Sequence, residues 1–179
     1  ERFLENLKME SVYYCVDIHG IRFIAEDLGE PSPDVTKLLA DSGLPGMRVL
    51  DCCAAPGGKS FTLAQRMEDA GELIAGDLYP QKAALIQKGA ERLGLFSIRA
   101  VTADAGVFSP QLGLFDRVLC DVPCSGFGII RRKPEIRYKD LDTLRDLPAV
   151  QYKILETAAQ YVKEGGQLVY STCTVLRQE

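Results

Sequence analysis

Residues 47–60 read MRVLDCCAAPGGKS, and this stretch decides the predicted fold. A short apolar run ends at an acidic residue, passes into a turn of small residues and then opens a helix. Small side chains let the backbone approach a ligand closely, and the N–H groups at a helix N-terminus attract its negative groups. The stretch therefore predicts a strand, a ligand-binding turn and a helix, which form the first unit of a βαβ arrangement.

Further apolar runs alternate with helical segments along the rest of the chain. After the run at 47–53 they lie at 72–78, 98–104, 115–122 and 166–173. One helix is expected to begin at Pro80 and to stop at Gly94. Another is expected from Pro148 to Lys163, closed by the glycines at 165–166. This rhythm predicts an α/β fold, a Rossmann-like, doubly wound and mostly parallel sheet that binds ligands at the carboxyl ends of its strands.

The chain before this sheet has a different pattern, and a Pro-rich break at 29–33 separates the two regions. Two β-rich runs at 12–16 and 21–25 flank a short polar stretch, which predicts a hairpin with a longer loop. We therefore divide the chain into a β-rich segment over 1–28, a linker and helix over 29–46, and a sheet domain over 47–179.

The composition is typical of one compact domain. The 179 residues are 46% hydrophobic and 26% charged. No run approaches the roughly 20 apolar residues of a membrane-spanning helix, and no charged-then-apolar leader opens the chain, so we expect a soluble, cytoplasmic protein. Six cysteines in a chain with an ample core indicate reduced thiols rather than a disulfide scaffold. With a net charge of −4, binding to nucleic acid would need a local basic patch.

Two acidic residues that follow strands indicate a bound nucleoside. Asp77 follows the second run, where a carboxylate can accept from both ribose hydroxyls, and Asp104 follows the third, where it can accept from an adenine amino group. For each acid alone, a helix cap or a solvated strand end is the alternative. The turn also nearly fits a Walker loop, with Asp121 as a magnesium partner, but Cys53 stands at the first glycine. The dinucleotide fingerprint G-x-G-x-x-G is absent.

Two cysteines are expected at the same edge of the sheet. Cys124 lies in the sequence DVPCSG at 121–126, and Cys173 ends the sequence STC at 171–173. Carbon-5 of a pyrimidine accepts a methyl group only after a thiolate adds at carbon-6 and turns the ring into an enamine. Thiolate formation would depend on Lys59, on backbone N–H groups or on substrate binding, because the one histidine, His19, is remote. This chemistry alone leaves either thiol as the nucleophile.

The other cysteines are expected to be small buried hydrophobes. They are Cys15, Cys52, Cys53 and Cys120. Because no C-x-x-C spacing occurs, no metal site is predicted.

These motifs resemble those of the Sun (Fmu) type RNA cytosine carbon-5 methyltransferases, and within them the bacterial ribosomal RNA branch. The resemblance covers about 47–179 and rests on D-x-C-A-A-P-G-G-K-[ST] at 51–60, D-x-P-C-S-G at 121–126 and the S-T-C of 171–173. It implies a Rossmann-like methyltransferase fold. It also implies an enzyme that forms 5-methylcytosine in RNA, with S-adenosylmethionine as the methyl donor.

The resemblance also implies roles for single residues. Cys173 is the implied nucleophile at carbon-6, and Cys124 the thiol that assists release of the product. Asp121 is the implied partner of the cytosine amino group and ring nitrogen. Lys59, on which thiolate formation would depend, completes the candidate catalytic set. The implied cofactor-binding residues are Cys53, Ala54, Ala55, Pro56, Gly57, Gly58, Lys59, Asp77, Asp104 and Asp121.

A local basic strip follows the DVPCSG motif, where the family has an R-R-x-P stretch. Residues 131–139 read RRKPEIRYK, five cations against one acid. Because phosphate binding needs cations and Tyr138 can stack on a base, the strip is a candidate RNA contact, with a solvated loop as the alternative. The candidate RNA-binding residues are Arg131, Arg132, Lys133 and Arg137. Phe127 departs from the family pattern, which has a small residue after Ser-Gly.

The ends of the chain also differ from the family pattern. The family's sheet continues with a helix and two more strands after S-T-C, and its members carry a separate RNA-binding domain. We therefore expect a chain truncated before the last two strands, with the 1–28 segment as a candidate remnant of an RNA-binding subdomain. An exposed strand edge would lower both stability and activity, so that the fragment itself could be inactive.

The expected partner is an RNA substrate, small-subunit ribosomal RNA. No DNA or membrane partner is expected, and the chain is expected to be a monomer. Two other functions stay open on the sequence alone. One is a P-loop-like nucleotide hydrolase, and the other is a non-catalytic module that binds RNA or a protein partner.

Overall fold

The computed structural model describes residues 13–18, 21–26, 45–140, 144–176 and 179, and it contains a seven-stranded sheet. The strands are β1 (Tyr13–Ile18), β2 (Ile21–Glu26), β3 (Arg48–Asp51), β4 (Glu72–Asp77), β5 (Ile98–Thr102), β6 (Phe115–Asp121) and β7 (Val162–Ser171). The described α-helices are α1 (Gly58–Arg66), α2 (Pro80–Leu93) and α3 (Leu147–Ala159). Short 3-10 turns lie at Pro110–Leu112, Phe127–Ile129 and Pro134–Tyr138.

The sheet has the strand order β1-β2-β7-β6-β3-β4-β5. From β7 to β5 all neighbouring strands are parallel, which confirms the predicted α/β fold. The chain leaves β3 toward β4 on one side and later returns to β6 on the other, so β3 is the switch point of the sheet. In such sheets the crevice at the carboxyl ends beside the switch point is the ligand site.

The N-terminal hairpin belongs to the same sheet. β1 and β2 form the predicted antiparallel hairpin, but its loop is shorter than expected, because Asp17 pairs with Arg22 and Ile18 with Ile21. β2 then pairs in parallel with β7, from Ile21 opposite Leu168 to Phe23 opposite Tyr170. The edge of β7, which we expected to be exposed, is therefore paired. The hairpin turn with His19 and most of the predicted linker, up to residue 44, lie outside the described residues.

The boundary between α3 and β7 corrects the prediction. The helix that was expected to reach Lys163 ends at Ala159, and β7 begins at Val162 rather than at 166. Tyr161 is buried and its carbonyl accepts the N–H of Phe115, so strand pairing starts before the glycines. Gly165 has a φ of +74° and lies where the register between β6 and β7 shifts. The two glycines therefore lie at an irregularity within β7 and do not end the helix.

The prediction for α2 is confirmed at both ends. Pro80 is its first residue, where a proline loses no hydrogen bond. Gly94 follows with a φ of +68°, and its N–H and that of Leu95 donate to carbonyls of the last turn. A left-handed glycine is the usual way to end a helix, because other side chains resist that conformation.

The core lies on both faces of the parallel strands. On one face Leu63 of α1 packs with Ile86 of α2, and on the other Ile154 of α3 packs with Phe115 of β6. All four side chains are buried, and truncating such a side chain to alanine costs about 2–5 kcal/mol. None of the described helices is long and apolar enough to cross a membrane.

The cysteines outside the two motifs differ in burial. Cys52 and Cys120 are buried, as predicted, whereas Cys53 is only half-buried, and the side chain of Cys15 lies outside the described residues. A hydrogen bond with Cys120, together with burial, raises the pKa of Cys52. Burial also raises the pKa of Cys53. Both thiols are therefore poor nucleophiles.

Candidate active site

The two motif cysteines meet at the carboxyl edge of the sheet. Strands β6 and β7 are neighbours, with Asp121 opposite Ser171, so the turns after them leave the sheet side by side. Cys124 Sγ lies 2.8 Å from Cys173 Sγ. The backbone N–H of Cys173 also donates to Cys124 Sγ, at 3.2 Å. The expectation that both thiols reach one edge is confirmed, and they are in direct contact.

The proton affinities of the two thiols differ. A hydrogen bond from the Cys173 thiol, helped by the N–H groups of Cys173 and Gly126 and opposed by burial, lowers the pKa of Cys124 to about 7. The same thiol–thiol bond and burial raise the pKa of Cys173. Near neutral pH the geometry therefore favours a Cys124 thiolate that is stabilised by a protonated Cys173.

An ion pair joins the turn after β3 to the end of β6. Lys59, in the first turn of α1, places Nζ 2.7 Å from Asp121 Oδ2. The other oxygen of Asp121 accepts the Ser171 hydroxyl at 2.8 Å. This carboxylate thus links α1, β6 and β7, and its charge acts on the Cys173 thiol. The predicted residues Lys59 and Asp121 form one contact pair, and Cys124 and Cys173 form another at the same edge of the sheet.

The predicted cofactor turn is held by its own backbone. Ala54 donates its N–H to Gly76 O at 2.8 Å, which fixes the turn against β4. Gly57 has a φ of +107°, and a Cβ there would stand 2.5 Å from the Phe61 ring. Gly58, which begins α1, has no neighbour within 4 Å of the place a Cβ would occupy. A side chain is thus obstructed at Gly57, whereas the space beside Gly58, at the N-terminus of α1, is open.

Asp51, at the end of β3, is buried under this turn. It accepts the Ser60 hydroxyl at 2.7 Å. Burial raises its pKa from 3.8 to about 7, with a further rise from Asp121, while the Ser60 hydrogen bond and Lys59 act in the opposite direction. Asp51 therefore holds the turn through its hydrogen bond with Ser60. Because its carboxyl group is buried, ionisation of this group lowers the stability of the fold.

The two predicted nucleoside acids lie at the ends of adjacent strands. Asp77 ends β4, is 7% exposed and accepts the Tyr79 N–H through Oδ1. Asp104 follows β5, is exposed and accepts the Gly106 N–H through Oδ1 at 2.8 Å. In both of these hydrogen bonds the acceptor is Oδ1 rather than Oδ2. Asp104 is exposed just past the end of β5, which agrees with the solvated strand end that was its alternative, and its binding role stays a prediction.

A cavity of about 480 Å³ opens over the thiols. Its lining includes Cys124, Cys173, Lys133, Glu135, Ile136 and Lys139. The basic strip is partly packed against the protein and partly exposed to solvent. Ile136 is buried, whereas Tyr138 is 83% exposed. The four predicted RNA-binding cations, Arg131, Arg132, Lys133 and Arg137, are exposed, and Lys133 lines the cavity.

Several polar residues of the site were not predicted from the sequence. Lys139 donates through Nζ to Ser125 O at 2.7 Å, and it lay in the predicted strip without being selected. Ser125 and Gln151 are buried next to the thiol turns, and Glu179 reaches back to the same place. The one sequence signal was Gln151, which shares a helix face with Ile154 and Ala158, where an apolar residue is expected.

The fold and this arrangement of motifs agree with one family of proteins. Residues 42–179 match the model of the 16S rRNA methyltransferases RsmB/F. The chain belongs to the RsmB/F family. The resemblance that the sequence motifs indicated is therefore confirmed.

Curated RsmB/F proteins from distant bacteria are similar to the same region. The chain is 49% identical over 134 residues to a probable ribosomal RNA small subunit methyltransferase B of Bacillus subtilis. The aligned region covers 73% of the chain and 30% of that protein. It is 33% identical over 147 residues to ribosomal RNA small subunit methyltransferase F of Escherichia coli O157:H7, covering 81% of the chain and 30% of that protein. The chain thus spans less than a third of the length of these relatives.

Solved structures show the same fold. PH0851 superimposes with a TM-score of 0.75 at 33% sequence identity, covering 82% of the chain and 33% of that protein. NSun6 from Pyrococcus horikoshii, solved with SFG, gives a TM-score of 0.70 at 29% identity over 82% of the chain and 37% of that protein. The sheet is therefore the Rossmann-like sheet of these methyltransferases.

Proposed function

We propose that this chain carries the catalytic centre of an S-adenosylmethionine-dependent RNA methyltransferase that forms 5-methylcytosine, with small-subunit ribosomal RNA as substrate. One observation carries the proposal. Two thiols lie 2.8 Å apart at the carboxyl ends of neighbouring parallel strands, beside the turn that the family motif assigns to the cofactor. Methylation at carbon-5 of a pyrimidine needs such a thiol, whereas methylation at a ring nitrogen or a hydroxyl does not.

The residues around the turn fit S-adenosylmethionine. Asp77 is buried at the end of β4 and accepts the Tyr79 N–H through Oδ1, so its Oδ2 is proposed to accept a ribose hydroxyl, and the N-terminus of α1 is proposed to offer N–H groups. SFG, which accompanies NSun6 in its crystal structure, is an analogue of this cofactor. When bound, the cofactor supplies an electrophilic methyl group. The residues proposed to hold it are those of 53–59 together with Asp77 and Asp104.

Asp121 is proposed to hold the cytosine. Its carboxylate is fixed by Lys59 and by the Ser171 hydroxyl, so its oxygens have a set orientation, and its charge acts on the Cys173 thiol. A carboxylate can accept a hydrogen bond from the cytosine amino group. Lys59 also counters the charge of this carboxylate, which otherwise opposes a nearby thiolate.

The thiol pair provides a route for the proton of the nucleophile. As Cys173 Sγ adds to carbon-6, its proton passes across 2.8 Å to the Cys124 thiolate. When the bond between carbon-6 and sulfur breaks at the end of the cycle, the Cys124 thiol returns that proton to the departing Cys173 sulfur. The proton that leaves carbon-5 goes to solvent. Cys124 therefore assists product release without bonding to the RNA.

The basic strip is proposed to hold the RNA backbone. Two of its exposed cations, Lys133 and Lys139, line the cavity over the thiols, so phosphates bound along the strip would bring a base to the cavity. The hydrolase alternative is disfavoured by family membership and by Cys53 at the first glycine of the Walker pattern. A non-catalytic RNA-binding module would use the strip but would have no use for the paired thiols.

Methyl transfer from labelled cofactor tests the proposed function. The protein is incubated with small-subunit ribosomal RNA and isotopically labelled S-adenosylmethionine, and the RNA is then digested to nucleosides. Label in 5-methylcytidine is the expected result. Cofactor binding without label in any nucleoside would support the non-catalytic module, and label in another nucleoside would overturn the cytosine assignment.

A further inference from the structure

The turn that carries Cys124 is held from both sides by two residues outside the family motifs. Ser125 donates its N–H to Glu179 Oε2 at 2.7 Å. Gln151 donates from Nε2 to Pro123 O at 2.9 Å and to the same Glu179 oxygen at 3.1 Å. The carbonyl before Cys124 and the N–H after it are thus connected through one amide and one carboxylate.

Gln151 is an unexpected residue for its position. It is 1% exposed and lies three residues before Ile154 on the face of α3 that enters the core. Burying a primary amide costs free energy unless it is hydrogen-bonded, and Gln151 Oε1 has no partner among the described residues. The Nε2 bonds to Pro123 and Glu179 are therefore what offsets the cost of placing an amide here.

Glu179 also connects the two cysteine turns. Its Oε1 lies 3.4 Å from the hydroxyl of Thr174, which follows Cys173. The Thr174 hydroxyl in turn lies 2.7 Å from the Ser125 hydroxyl. One carboxylate therefore fixes the backbone next to Cys124 and the side chain next to Cys173.

We propose that Gln151 and Glu179 are positioning residues that hold the Cys124 and Cys173 thiols in contact. This inference rests on the proposed function, in which a proton crosses between the two sulfurs. A role for Glu179 in making Cys124 more acidic is disfavoured, because its negative charge acts to raise the pKa of that thiol. Its hydrogen bonds, rather than its charge, are what the site uses.

Thiol bridging measures this role independently of catalysis. Dibromobimane becomes fluorescent when it bridges two thiols, so its reaction with the protein reports the contact between Cys124 and Cys173. A Cys173→Ser variant gives the background. The test variants are Gln151→Met, which keeps the volume and loses the donor, and Glu179→Ala. The matched control is Gln160→Met, at an exposed glutamine just past the end of α3 whose side-chain amide donates to Glu156 O.

Bridging is expected to slow about tenfold or more in Gln151→Met and Glu179→Ala, since displacements near 1 Å are costly to proximity-driven reactions. Gln160→Met is expected to bridge at the parent rate. Glu179→Gln keeps an oxygen for Ser125 and is expected to bridge within about twofold of the parent, which separates hydrogen bonding from charge. Parent-like bridging in folded Gln151→Met and Glu179→Ala would overturn the inference, as would a Glu179→Gln rate as low as that of Glu179→Ala.

A second readout separates positioning from folding and from the proposed function. In the methyl-transfer assay, kcat is expected to fall in the slow-bridging variants, while KM for RNA and the affinity for S-adenosylmethionine stay near parent values. If Glu179→Ala does not fold, the comparison of Gln151→Met with Gln160→Met decides the question. If the parent bridges its thiols and the variants do not, but the parent transfers no methyl group, the proposed function fails while the positioning role stands.

Discussion

Lys59 Nζ lies 2.7 Å from Asp121 Oδ2, so the turn after β3 and the end of β6 are joined by an ion pair. Both side chains are more than a third exposed, and solvent therefore screens their attraction. A pair of this kind adds little to stability, which indicates that its value lies in orienting the Asp121 carboxylate.

Lys59→Met is expected to change the free energy of unfolding by no more than about 1 kcal/mol while strongly reducing methyl transfer. Lys163→Met is the matched control, because Lys163 of β7 pairs with Asp116 of β6 at 3.0 Å, near the amino ends of these two strands. Denaturant titration and the methyl-transfer assay give the two quantities. Equal activity in the two variants would remove Lys59 from the catalytic set.

Asp77→Ala is expected to weaken S-adenosylmethionine binding more than Asp104→Asn. Asp77 is nearly buried and would accept charge-assisted bonds from two hydroxyls, whereas asparagine at 104 keeps an amide oxygen. Loss of a hydrogen bond to a charged group costs roughly 1.5–3 kcal/mol. Titration calorimetry measures both affinities, and parent affinity in both variants would withdraw the cofactor assignment.

Charge reversal of Arg131 and Arg132 is expected to weaken RNA binding and to flatten its dependence on salt, because fewer counterions are released. Affinity for the cofactor should not change. Arg92→Glu provides a control at an exposed arginine in the last turn of α2, on the other edge of the sheet. An unchanged salt slope in the double variant would favour the solvated-loop interpretation of the strip.

Asp51 is expected to make stability depend on pH. Its folded-state pKa of about 7 lies above the usual 3.8, mainly because of burial. The folded chain therefore holds the proton more tightly than the unfolded chain between these values, and stability falls as pH rises through that window. The full difference corresponds to roughly 4 kcal/mol.

Asp51→Asn should remove this fall, so that the variant gains stability relative to the parent as pH rises toward 8. Asp69→Asn is a contrast of opposite sign, because hydrogen bonds from Ser97 and Phe96 lower the pKa of Asp69. The contribution of Asp69 is present at neutral pH and is lost on acidification. Denaturant titrations across pH test both, and parallel curves for Asp51→Asn and the parent would contradict the buried-charge account.

The parallel sheet and the meeting of the thiols were predictable because local patterns determine them. Apolar runs that end in acids mark the strands, and the right-handed crossover rule brings the residues after them to one edge. Pairing of β2 with β7 joins residues more than 140 positions apart, from Ile21 to Leu168, and no local pattern encodes it. The start of β7 was missed because the two glycines resemble a helix stop.

The supporting residues of the site were harder to predict than its motifs. Gln151 gave a weak signal as a polar residue on an apolar helix face, but its partners lie on a turn and on Glu179, which have no fixed spacing from it. Which of the two thiols has the lower pKa depends on which sulfur accepts more hydrogen bonds from backbone N–H groups. Only the three-dimensional structure shows that this sulfur is Cys124 Sγ.

The two thiols provide the most direct test of the covalent mechanism, because each should fail differently when it is removed from the active protein. Cys173→Ala removes the atom that adds to carbon-6, so neither an RNA adduct nor product is expected. Cys124→Ala still allows addition with solvent as the proton acceptor, but it lacks the donor for the departing sulfur, so a protein–RNA adduct is expected to accumulate.

Denaturing gel electrophoresis of each variant with target RNA and S-adenosylmethionine reads this difference. A slow-migrating adduct is expected for Cys124→Ala and none for Cys173→Ala. The reverse pattern would make Cys124 the nucleophile, and methylation that persists in both variants without any adduct would contradict covalent catalysis at this site.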